Sequence, residues 1–213
     1  MSDMNKKITV GIIDLKINNI FSVYRGCVRA GFKTEIINFK RKKLIYDIVI
    51  LPGVGAFKSG IQFLKQDRIN EKIKEYLERE NSFIYGICVG MQLLFEKSFE
   101  FEKTKGLNLI KGNVIKFSKI ENRLTHLGWN KISFQESKFK SDLRKFENKY
   151  FYFIHSYYAK PESAKNVLGV TRYGNKNFCS GVKKGKIFGT QFHPEKSGHW
   201  GIEFLKNLRN IKN

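Results

Sequence analysis

The segment Phe83–Phe95, FIYGICVGMQLLF, is the most informative part of this sequence. Apolar residues with strand character lead into Gly86, and Cys88 and Gly90 follow, which gives the pattern G-x-C-x-G. The apolar residues after Cys88 recur at helical spacing. A nucleophile on a tight strand-to-helix turn has a strained backbone, and neighbouring glycines avoid clashes within that turn. The stretch therefore predicts a nucleophile elbow that carries Cys88.

The helix predicted to begin at Val89 would direct free backbone N–H groups and the positive end of its dipole towards Cys88. Both favour the thiolate, which is the nucleophilic form of cysteine. Taken alone, the stretch also fits an inert cysteine buried between two packing glycines. A nucleophilic cysteine needs a general base, so a candidate base elsewhere in the chain would favour the catalytic interpretation.

A candidate base lies near the C-terminus, in the segment Gly189–Glu195, GTQFHPE. We expect Pro194 to keep this segment extended, so that His193 and Glu195 point the same way. Glu195 would then hold one ring nitrogen of His193, and the other nitrogen would face Cys88. An H-x-E pattern also occurs in zinc deaminases, but their P-C-x-x-C partner motif is absent here. The two segments together predict a Cys-His-Glu triad.

The N-terminal half alternates strands with helices. Crossover helices between strands produce a parallel sheet covered on both faces, with ligands at the carboxyl ends of the strands. Cys88 follows such an end. The predicted strands are Ile8–Asp14, Thr34–Ile37 and Tyr46–Leu51, and the predicted helices are Ile20–Ala30 and Ile61–Glu80.

The C-terminal half has short strand candidates separated by turn signals, which favours antiparallel pairing. We predict an α/β fold: an open, mostly parallel sheet flanked by helices on both faces, with antiparallel strands added in the C-terminal half. No linker or repeat marks a boundary, so residues 1–213 are expected to form a single domain. The strand candidates are Val114–Phe117, Gly128–Phe134, Tyr150–His155, Val167–Tyr173, Phe178–Val182 and Ile187–Gln191, and Trp200–Leu208 is the closing helix.

The composition excludes several classes of protein. The 40 Lys and Arg against 19 Asp and Glu give a formal charge of +21, but the basic residues are spread along the chain, with short runs at Lys40–Lys43 and Lys183–Lys186. No nucleic-acid motif accompanies them. There is no 18-residue apolar run and no secretory signal, and three scattered cysteines make no disulfide framework. We expect a cytoplasmic protein that binds neither nucleic acid nor membrane, with Cys27 and Cys179 as packing residues.

Five ordered motifs resemble those of a known family. PGVGAF (Pro52–Phe57), YGICVGMQLLF (Tyr85–Phe95) and QFHPEKS (Gln191–Ser197) resemble class I glutamine amidotransferases. HLGWN (His126–Asn130) and YFIHSYY (Tyr152–Tyr158) narrow the resemblance to the glutaminase (HisH-type) subunits of imidazole glycerol phosphate synthase. The resemblance covers nearly the whole chain and implies a flavodoxin-like fold that hydrolyses L-glutamine without a cofactor or metal.

Further site residues follow from the motifs. The oxyanion would be held by the backbone N–H of Val89, which follows the nucleophile, and by that of Val54, in the glycine-flanked turn. The resemblance implies that glutamine is bound by Gly55, Gln92, Ser156 and Tyr157. A purely structural role also remains open for three of these residues. Gln92 could be an exposed polar residue of a helix, and Ser156 and Tyr157 could pack at the end of a strand. His126 and His155 fit hydrogen-bonded structural residues, and no cluster of ligands suggests a metal.

The resemblance also implies a partner. Ammonia would pass to a synthase (cyclase) subunit with a (β/α)8 barrel, in a heterodimer of the histidine pathway that forms imidazole glycerol phosphate and an aminoimidazole carboxamide ribotide. The residues implied at this interface are Asn19, Trp129, Asn130, Tyr152 and Lys196, although ordinary core packing also fits the two aromatic ones. Asn18 stands where the family commonly has Gly, and Thr125 where it commonly has Pro.

Two other functions remain open from the sequence. A paralogous glutaminase could supply ammonia to a sugar amidotransferase for surface or flagellar glycans, which the altered loop at Leu15–Asn19 and the high charge would allow. Alternatively, the chain could be a basic binding protein that kept the fold and lost activity. The intact Cys88, His193 and Glu195 favour a working glutaminase over the inactive binding protein.

Overall fold

The computed structural model describes residues 7–16, 19–37, 43–117, 125–135 and 140–212. Within them the strands are β1 (Thr9–Ile12), β2 (Lys33–Ile36), β3 (Ile48–Leu51), β4 (Ile84–Ile87), β5 (Phe95–Ser98), β6 (Thr104–Lys105), β7 (Ile110–Lys116), β8 (His126–Lys131), β9 (Ser133–Phe134), β10 (Tyr150–His155), β11 (Tyr157–Pro161), β12 (Val167–Tyr173), β13 (Lys176–Lys184) and β14 (Ile187–Thr190). The α-helices are α1 (Ile20–Arg29), α2 (Phe57–Lys65), α3 (Ile69–Glu78), α4 (Val89–Leu93), α5 (Lys140–Leu143), α6 (Gly198–Lys206) and α7 (Leu208–Ile211).

The main sheet has the strand order β2-β1-β3-β4-β14-β13-β12-β9. Its first five strands are parallel, and β13, β12 and β9 continue it in antiparallel pairing. Strands β3, β4 and β14 are buried along their whole length. This burial is expected of parallel strands that are covered on both faces, and it explains their continuous apolar sequence.

Helices cover both faces of this sheet. A Cβ on Gly86 would meet the backbone of Met91 in α4 at 2.7 Å, so that residue faces α4. The preceding residue, Tyr85, stacks on Phe188 with ring centroids 5.1 Å apart, and Phe188 stacks on Phe204 of α6 at 6.1 Å. Because neighbouring residues of a strand point to opposite faces, α4 and α6 lie on opposite sides of the sheet.

Two smaller sheets lie beside the main one. Strands β8 and β10 form an antiparallel pair, and the order of the other sheet is β11-β7-β5-β6, in which β5 and β7 are parallel. Strands β13, β12 and β9 are therefore the antiparallel addition that the sequence predicted, and the remaining C-terminal strands form the two smaller sheets. Strands β5, β6 and β11 were not predicted, because β5 follows α4 without a turn signal and β6 has only two residues.

The helix predicted over Ile61–Glu80 is wrong as a single element. A 3-10 turn at Gln66–Arg68 separates α2 from α3, and Asp67 and Arg68 adopt positive φ angles of 49° and 54°. Both helices bury apolar side chains in the same core, so the apolar spacing continues across the break and conceals it.

The strand predicted over Gly128–Phe134 is also wrong as a single element, because it is divided between β8 and β9, which lie in different sheets. Other predicted bounds agree to within a few residues. Tyr150–His155 and Val167–Tyr173 occur as predicted, whereas the first strand is shorter and the closing helix is divided between α6 and α7. Residues Ile17 and Asn18 of the predicted partner-facing loop, and residues 40–42 of the first basic run, lie outside the described residues. None of the helices in the described residues has the length and apolar character needed to cross a membrane.

Candidate active site

Cys88 lies on a strained turn between β4 and α4. Its φ of 53° and ψ of −112° are unfavourable for a residue with a side chain. A Cβ on Gly90 would come within 1.7 Å of the Leu51 carbonyl oxygen, and one on Gly86 within 2.7 Å of the Met91 backbone. Both glycines are therefore required for close backbone approach, as the G-x-C-x-G pattern predicted.

Strand β14 pairs with β4 and hydrogen-bonds to the elbow at Cys88. The backbone N–H of Cys88 donates to the carbonyl oxygen of Thr190 at 2.7 Å. The Thr190 hydroxyl donates to the Phe192 carbonyl oxygen, so in its contact with Tyr85 it accepts from the phenol, at 2.7 Å. Through this pairing the chain that leaves β14 brings His193 to the nucleophile.

His193 and Glu195 form a buried pair. Nδ1 of His193 lies 2.7 Å from Oε1 of Glu195, and the two side chains are 2% and 4% exposed. The segment is not extended as predicted: Pro194–Lys196 forms a 3-10 turn, which brings the two side chains together instead. Among the described residues, His193 Nε2 and Glu195 Oε2 have no hydrogen-bond partner.

The charges around His193 favour its protonated form. Burial by itself lowers the pKa of this imidazole, but a negative charge on Cys88 and the carboxylate of Glu195 outweigh it and raise the pKa to about 10. His193 is therefore suited to form an ion pair with a Cys88 thiolate. The other two cysteines are free and buried, and burial raises the pKa of both thiols, that of Cys179 to about 12.

A cavity of about 330 Å³ opens at Cys88. Glu100, Ile154 and His155 line it, although the sequence did not place them in the site. Besides Cys88, seven residues predicted for the oxyanion, the substrate or the interface line it: Val54, Gly55, Val89, Gln92, Ser156, Tyr157 and Lys196.

Gln92 is 3% exposed, so the interpretation as an exposed helical residue does not apply. Its Nε2 donates to the Tyr157 carbonyl oxygen at 2.9 Å and to Oε1 of Gln191 at 3.0 Å. The Nε2 group of Gln191 in turn donates to Cys88 Sγ at 3.5 Å. Two side-chain amides therefore connect the cavity wall to the nucleophile.

A second buried chain of hydrogen bonds ends at the same carbonyl. His155 Nδ1 lies 2.8 Å from the Tyr157 carbonyl oxygen, and His155 Nε2 lies 3.2 Å from His126 Nδ1. His126 Nε2 contacts Asn130 Nδ2 at 3.2 Å. Burial lowers the pKa of His155 to about 3, with a smaller effect of His126, and burial lowers that of His126 to about 4. Both rings are therefore neutral at pH 7.

The two predicted oxyanion donors lie beside Cys88, but one of them is engaged. The backbone N–H of Val89 donates to the carbonyl oxygen of Gly53 at 3.3 Å. Because the peptide bond is planar and trans, the N–H of Val54 points away from the side on which the Gly53 carbonyl lies. In this conformation the two N–H groups do not converge on one position.

Glu100 is a residue of this cavity that the sequence analysis missed. Its Oε2 accepts the backbone N–H of Phe57 at 2.5 Å, at the N-terminus of α2, whose own N-cap residue Ala56 makes no side-chain hydrogen bond. Partial burial raises the pKa of the carboxyl group. No local pattern signals this contact, because the two residues are 43 positions apart.

The predicted interface residues differ in their accessibility. Trp129 is 54% exposed, so core packing does not describe it, and its ring meets Tyr152 edge-on with centroids 6.0 Å apart. Lys196 Nζ lies 5.9 Å from the centre of the Tyr152 ring. The side chain of Asn130 points inward, and that of Asn19 caps α1.

The described residues contain no group of three or more His, Cys, Asp or Glu side chains that could hold a metal ion.

Comparison with known proteins gives the family of this chain. The model of the family described as glutamine amidotransferase class-I matches residues 11–209. The chain belongs to the class-I glutamine amidotransferase family. This amidotransferase is 40% identical to imidazole glycerol phosphate synthase subunit HisH of Thermotoga maritima over 204 residues, 93% of this chain and 95% of that protein. It is 42% identical to the HisH subunit of Methanocaldococcus jannaschii over 203 residues, 93% and 97% of the two chains.

Solved structures confirm the predicted α/β fold. The amidotransferase superposes on a chain of PurLQS from Thermotoga maritima with a TM-score of 0.72 and 19% identity, covering 97% of this chain and all of that one. A crystal structure described as a glutamine amidotransferase gives a TM-score of 0.71 at 16% identity, with 95% and 96% of the chains covered. At these identities the likeness concerns the fold alone.

Proposed function

We propose that this chain is the glutaminase subunit of imidazole glycerol phosphate synthase, formed by a single amidotransferase domain that hydrolyses L-glutamine and passes the ammonia to a partner. The observation that carries the proposal is the buried His193–Glu195 pair, whose imidazole is under the charge of Cys88, and Cys88 itself lies on its elbow at the wall of the cavity. The HisH relatives, similar over nearly their full length, support the pathway.

In the proposed reaction Cys88 attacks the side-chain carbonyl carbon of glutamine. His193 takes the thiol proton and later donates it to the departing ammonia, while Glu195 orients the ring and stabilises its charged form. Water then hydrolyses the thioester, with His193 as the base. The raised pKa of His193 supports this role because it favours the imidazolium–thiolate pair from which attack begins.

The cavity offers contacts to the rest of the substrate. The Glu100 carboxylate is an acidic group in the cavity, suited to the α-ammonium of glutamine, and burial strengthens such a contact. Gly55, Ser156 and Tyr157 would enclose the substrate, with Gln92 behind them. Glu100 would remain tied to the N-terminus of α2 through one oxygen while the other meets the ligand.

The oxyanion hole would form when the peptide between Gly53 and Val54 turns over. This rotation would release the N–H of Val89 from the Gly53 carbonyl and direct the N–H of Val54 towards the same position. The hydrogen bond at 3.3 Å supports the view that the free subunit is held in an inactive arrangement. Partner binding would supply the energy for the change.

An exposed apolar face supports a partner protein. In the β8–β10 pair, Tyr152 lies opposite Trp129 and Ile154 lies opposite Leu127. Leu127, Trp129 and Ile154 are 62%, 54% and 40% exposed, and Tyr150 continues the face at 52%. Ile154 also lines the cavity, so the face adjoins the site where ammonia is released. We propose that the (β/α)8-barrel subunit covers it in a heterodimer, with acidic groups that meet this basic chain.

The experiment measures glutamate release with and without the histidine-pathway barrel subunit of the same organism and that subunit's nucleotide ligand. We expect strong stimulation by both together and none with Cys88→Ala. Stimulation by a sugar amidotransferase instead would move the chain to a different pathway and leave the chemistry in place. Hydrolysis at the wild-type rate in Cys88→Ala would overturn the mechanism.

A further inference from the structure

A buried side-chain amide contacts the nucleophilic sulfur outside the triad. Gln191 is completely buried, and its Nε2 lies 3.5 Å from Cys88 Sγ. It precedes His193 by two residues, on the segment that leaves β14, and its backbone N–H donates to the Ser180 carbonyl oxygen at 3.0 Å. Both its backbone and its side chain are therefore held in place.

The orientation of the Gln191 amide follows from a backbone carbonyl. The Tyr157 carbonyl oxygen can only accept, so the group of Gln92 that contacts it must be the NH2 end. The second N–H of that NH2 reaches the neighbouring amide of Gln191, which must present its oxygen there. The remaining end of Gln191, its NH2 group, therefore points at Cys88 Sγ.

We propose that Gln191 is a further catalytic residue, which donates a hydrogen bond to the Cys88 thiolate, and that Gln92 is a positioning residue that fixes the direction of this donor. This inference deepens the proposed glutaminase reaction and rests on it. A thiol sulfur accepts hydrogen bonds weakly and a thiolate accepts them strongly, so the contact favours the ionised nucleophile. The same donor would stabilise the thiolate again when it leaves the thioester.

The test is the rate of Cys88 alkylation by iodoacetamide as a function of pH, which needs no glutamine. The alkylation that remains in Cys88→Ala is subtracted, and it should be small because Cys27 and Cys179 are buried with raised pKa values. Gln191→Met has a similar size and no donor. We expect it to raise the pH of half-maximal alkylation by about one unit. Gln62→Met, on the exposed side of α2, is the matched control and should leave the profile unchanged.

Gln92→Met tests the orientation step. This variant should also raise the pH of half-maximal alkylation, but by less than Gln191→Met does. The donor on Gln191 remains, but it has lost the hydrogen bond from Gln92 that orients it. The double variant should shift no further than Gln191→Met alone, since Gln92 acts through Gln191. A Gln191→Met profile identical to the wild type would overturn the proposal, and so would additive shifts in the double variant.

If Gln191→Met fails to fold, Gln92→Met decides the test. An alkylation profile of Gln92→Met identical to the wild type would overturn the proposal, and a shift to higher pH would support it. The failure of the proposed function can be told apart from the failure of this inference, because a shift in the alkylation profile can occur in a chain that never hydrolyses glutamine. Conversely, a wild type that hydrolyses glutamine with no shift in the variants would contradict only the role of the amides.

Discussion

The backbone N–H of Val89 donates to the carbonyl oxygen of Gly53 at 3.3 Å, directly beside the nucleophile. Val89 begins α4 and its N–H is one of the free donors that a helix N-terminus offers. In this structure the donor satisfies a neighbouring carbonyl instead of facing the cavity. Cys88, His193 and Glu195 lie together as the proposed triad requires, whereas the two proposed oxyanion donors do not converge.

The isolated chain should therefore be a weak glutaminase. Loss of one oxyanion donor typically lowers kcat by about 10²–10³. We expect glutamate release by the free chain at no more than about 1% of the rate in the complex with its barrel partner and that partner's ligand. A coupled glutamate assay measures both rates, and a free chain as fast as the complex would contradict the prediction.

Replacement of Cys88 by alanine should abolish glutamine hydrolysis, with a loss of at least about 10³ in rate, because Cys88 is the one cysteine among the described residues that lines the cavity. The fold should persist, since the removed sulfur makes only weak contacts. Cys179→Ala is the matched control, because this thiol lies outside the cavity and should leave the rate in place. The measurement is glutamate release alongside circular dichroism of each variant.

The pair of His193 and Glu195 should stabilise the fold most at low and neutral pH. In the folded chain the charge on Cys88 and, less strongly, the carboxylate of Glu195 outweigh burial and raise the pKa of His193 to about 10, against about 6.5 when unfolded. The resulting stabilisation is complete below pH 6.5 and is lost as the pH rises through about 10. Glu195→Gln should lower the free energy of unfolding by about 2 kcal/mol at pH 6 and by clearly less at pH 10.

Urea unfolding at pH 6, 8 and 10 measures this difference. Glu162→Gln, a change on an exposed residue, is the control. An effect of Glu195→Gln that grows with pH would show that the pair does not stabilise protonated His193.

Acid should destabilise the fold through its buried histidines. Burial lowers the pKa of His155 to about 3 and that of His126 to about 4, below their value of about 6.5 in the unfolded chain. The unfolded state then binds more protons, so this contribution is complete above pH 6.5 and is lost as the pH falls towards 4 and 3. Between pH 6 and 4.5, His155→Gln should reduce the dependence of stability on pH by about 1 kcal/mol per unit.

Urea unfolding at several pH values in this interval gives the slope directly. The exposed His199 supplies the control variant, His199→Gln. If His155→Gln kept the wild-type slope, the neutral pair would not be a source of acid sensitivity.

Trp129 should dominate association with the partner. Exposed aromatic residues at the centre of an apolar face are frequent hot spots, and truncation there costs about 2 kcal/mol or more. We expect Trp129→Ala to weaken binding of the barrel subunit by roughly 30-fold or more, with little effect on stability because the ring is half exposed. Ile45→Ala, at a residue that is 64% exposed and far along the chain from this face, is the control in the same calorimetric titration.

The elbow at Cys88 and the His193–Glu195 contact of the proposed triad could be predicted from the sequence because each depends on neighbouring residues. Gly86 and Gly90 are required by backbone atoms a few ångströms away, and the motif that contains them is contiguous. The contact between His193 and Glu195 was predicted from their separation of two residues. It is present in the structure, although the segment forms a 3-10 turn and was predicted to be extended. Alternation of strands and helices likewise predicted the parallel sheet.

Other features depend on the tertiary structure. Glu100 reaches the cavity from a position 43 residues after Phe57, the first residue of the helix that it caps, and Gln191 meets Cys88 across 103 residues. The apolar face of β8 and β10 depends on the register of two strands that are separated in sequence. Sequence patterns encode the conformation of neighbouring residues and the spacing of buried side chains. The direction of a hydrogen bond between distant segments is decided only when packing brings those segments together, so the sequence determined the reacting groups and the fold determined how they are held.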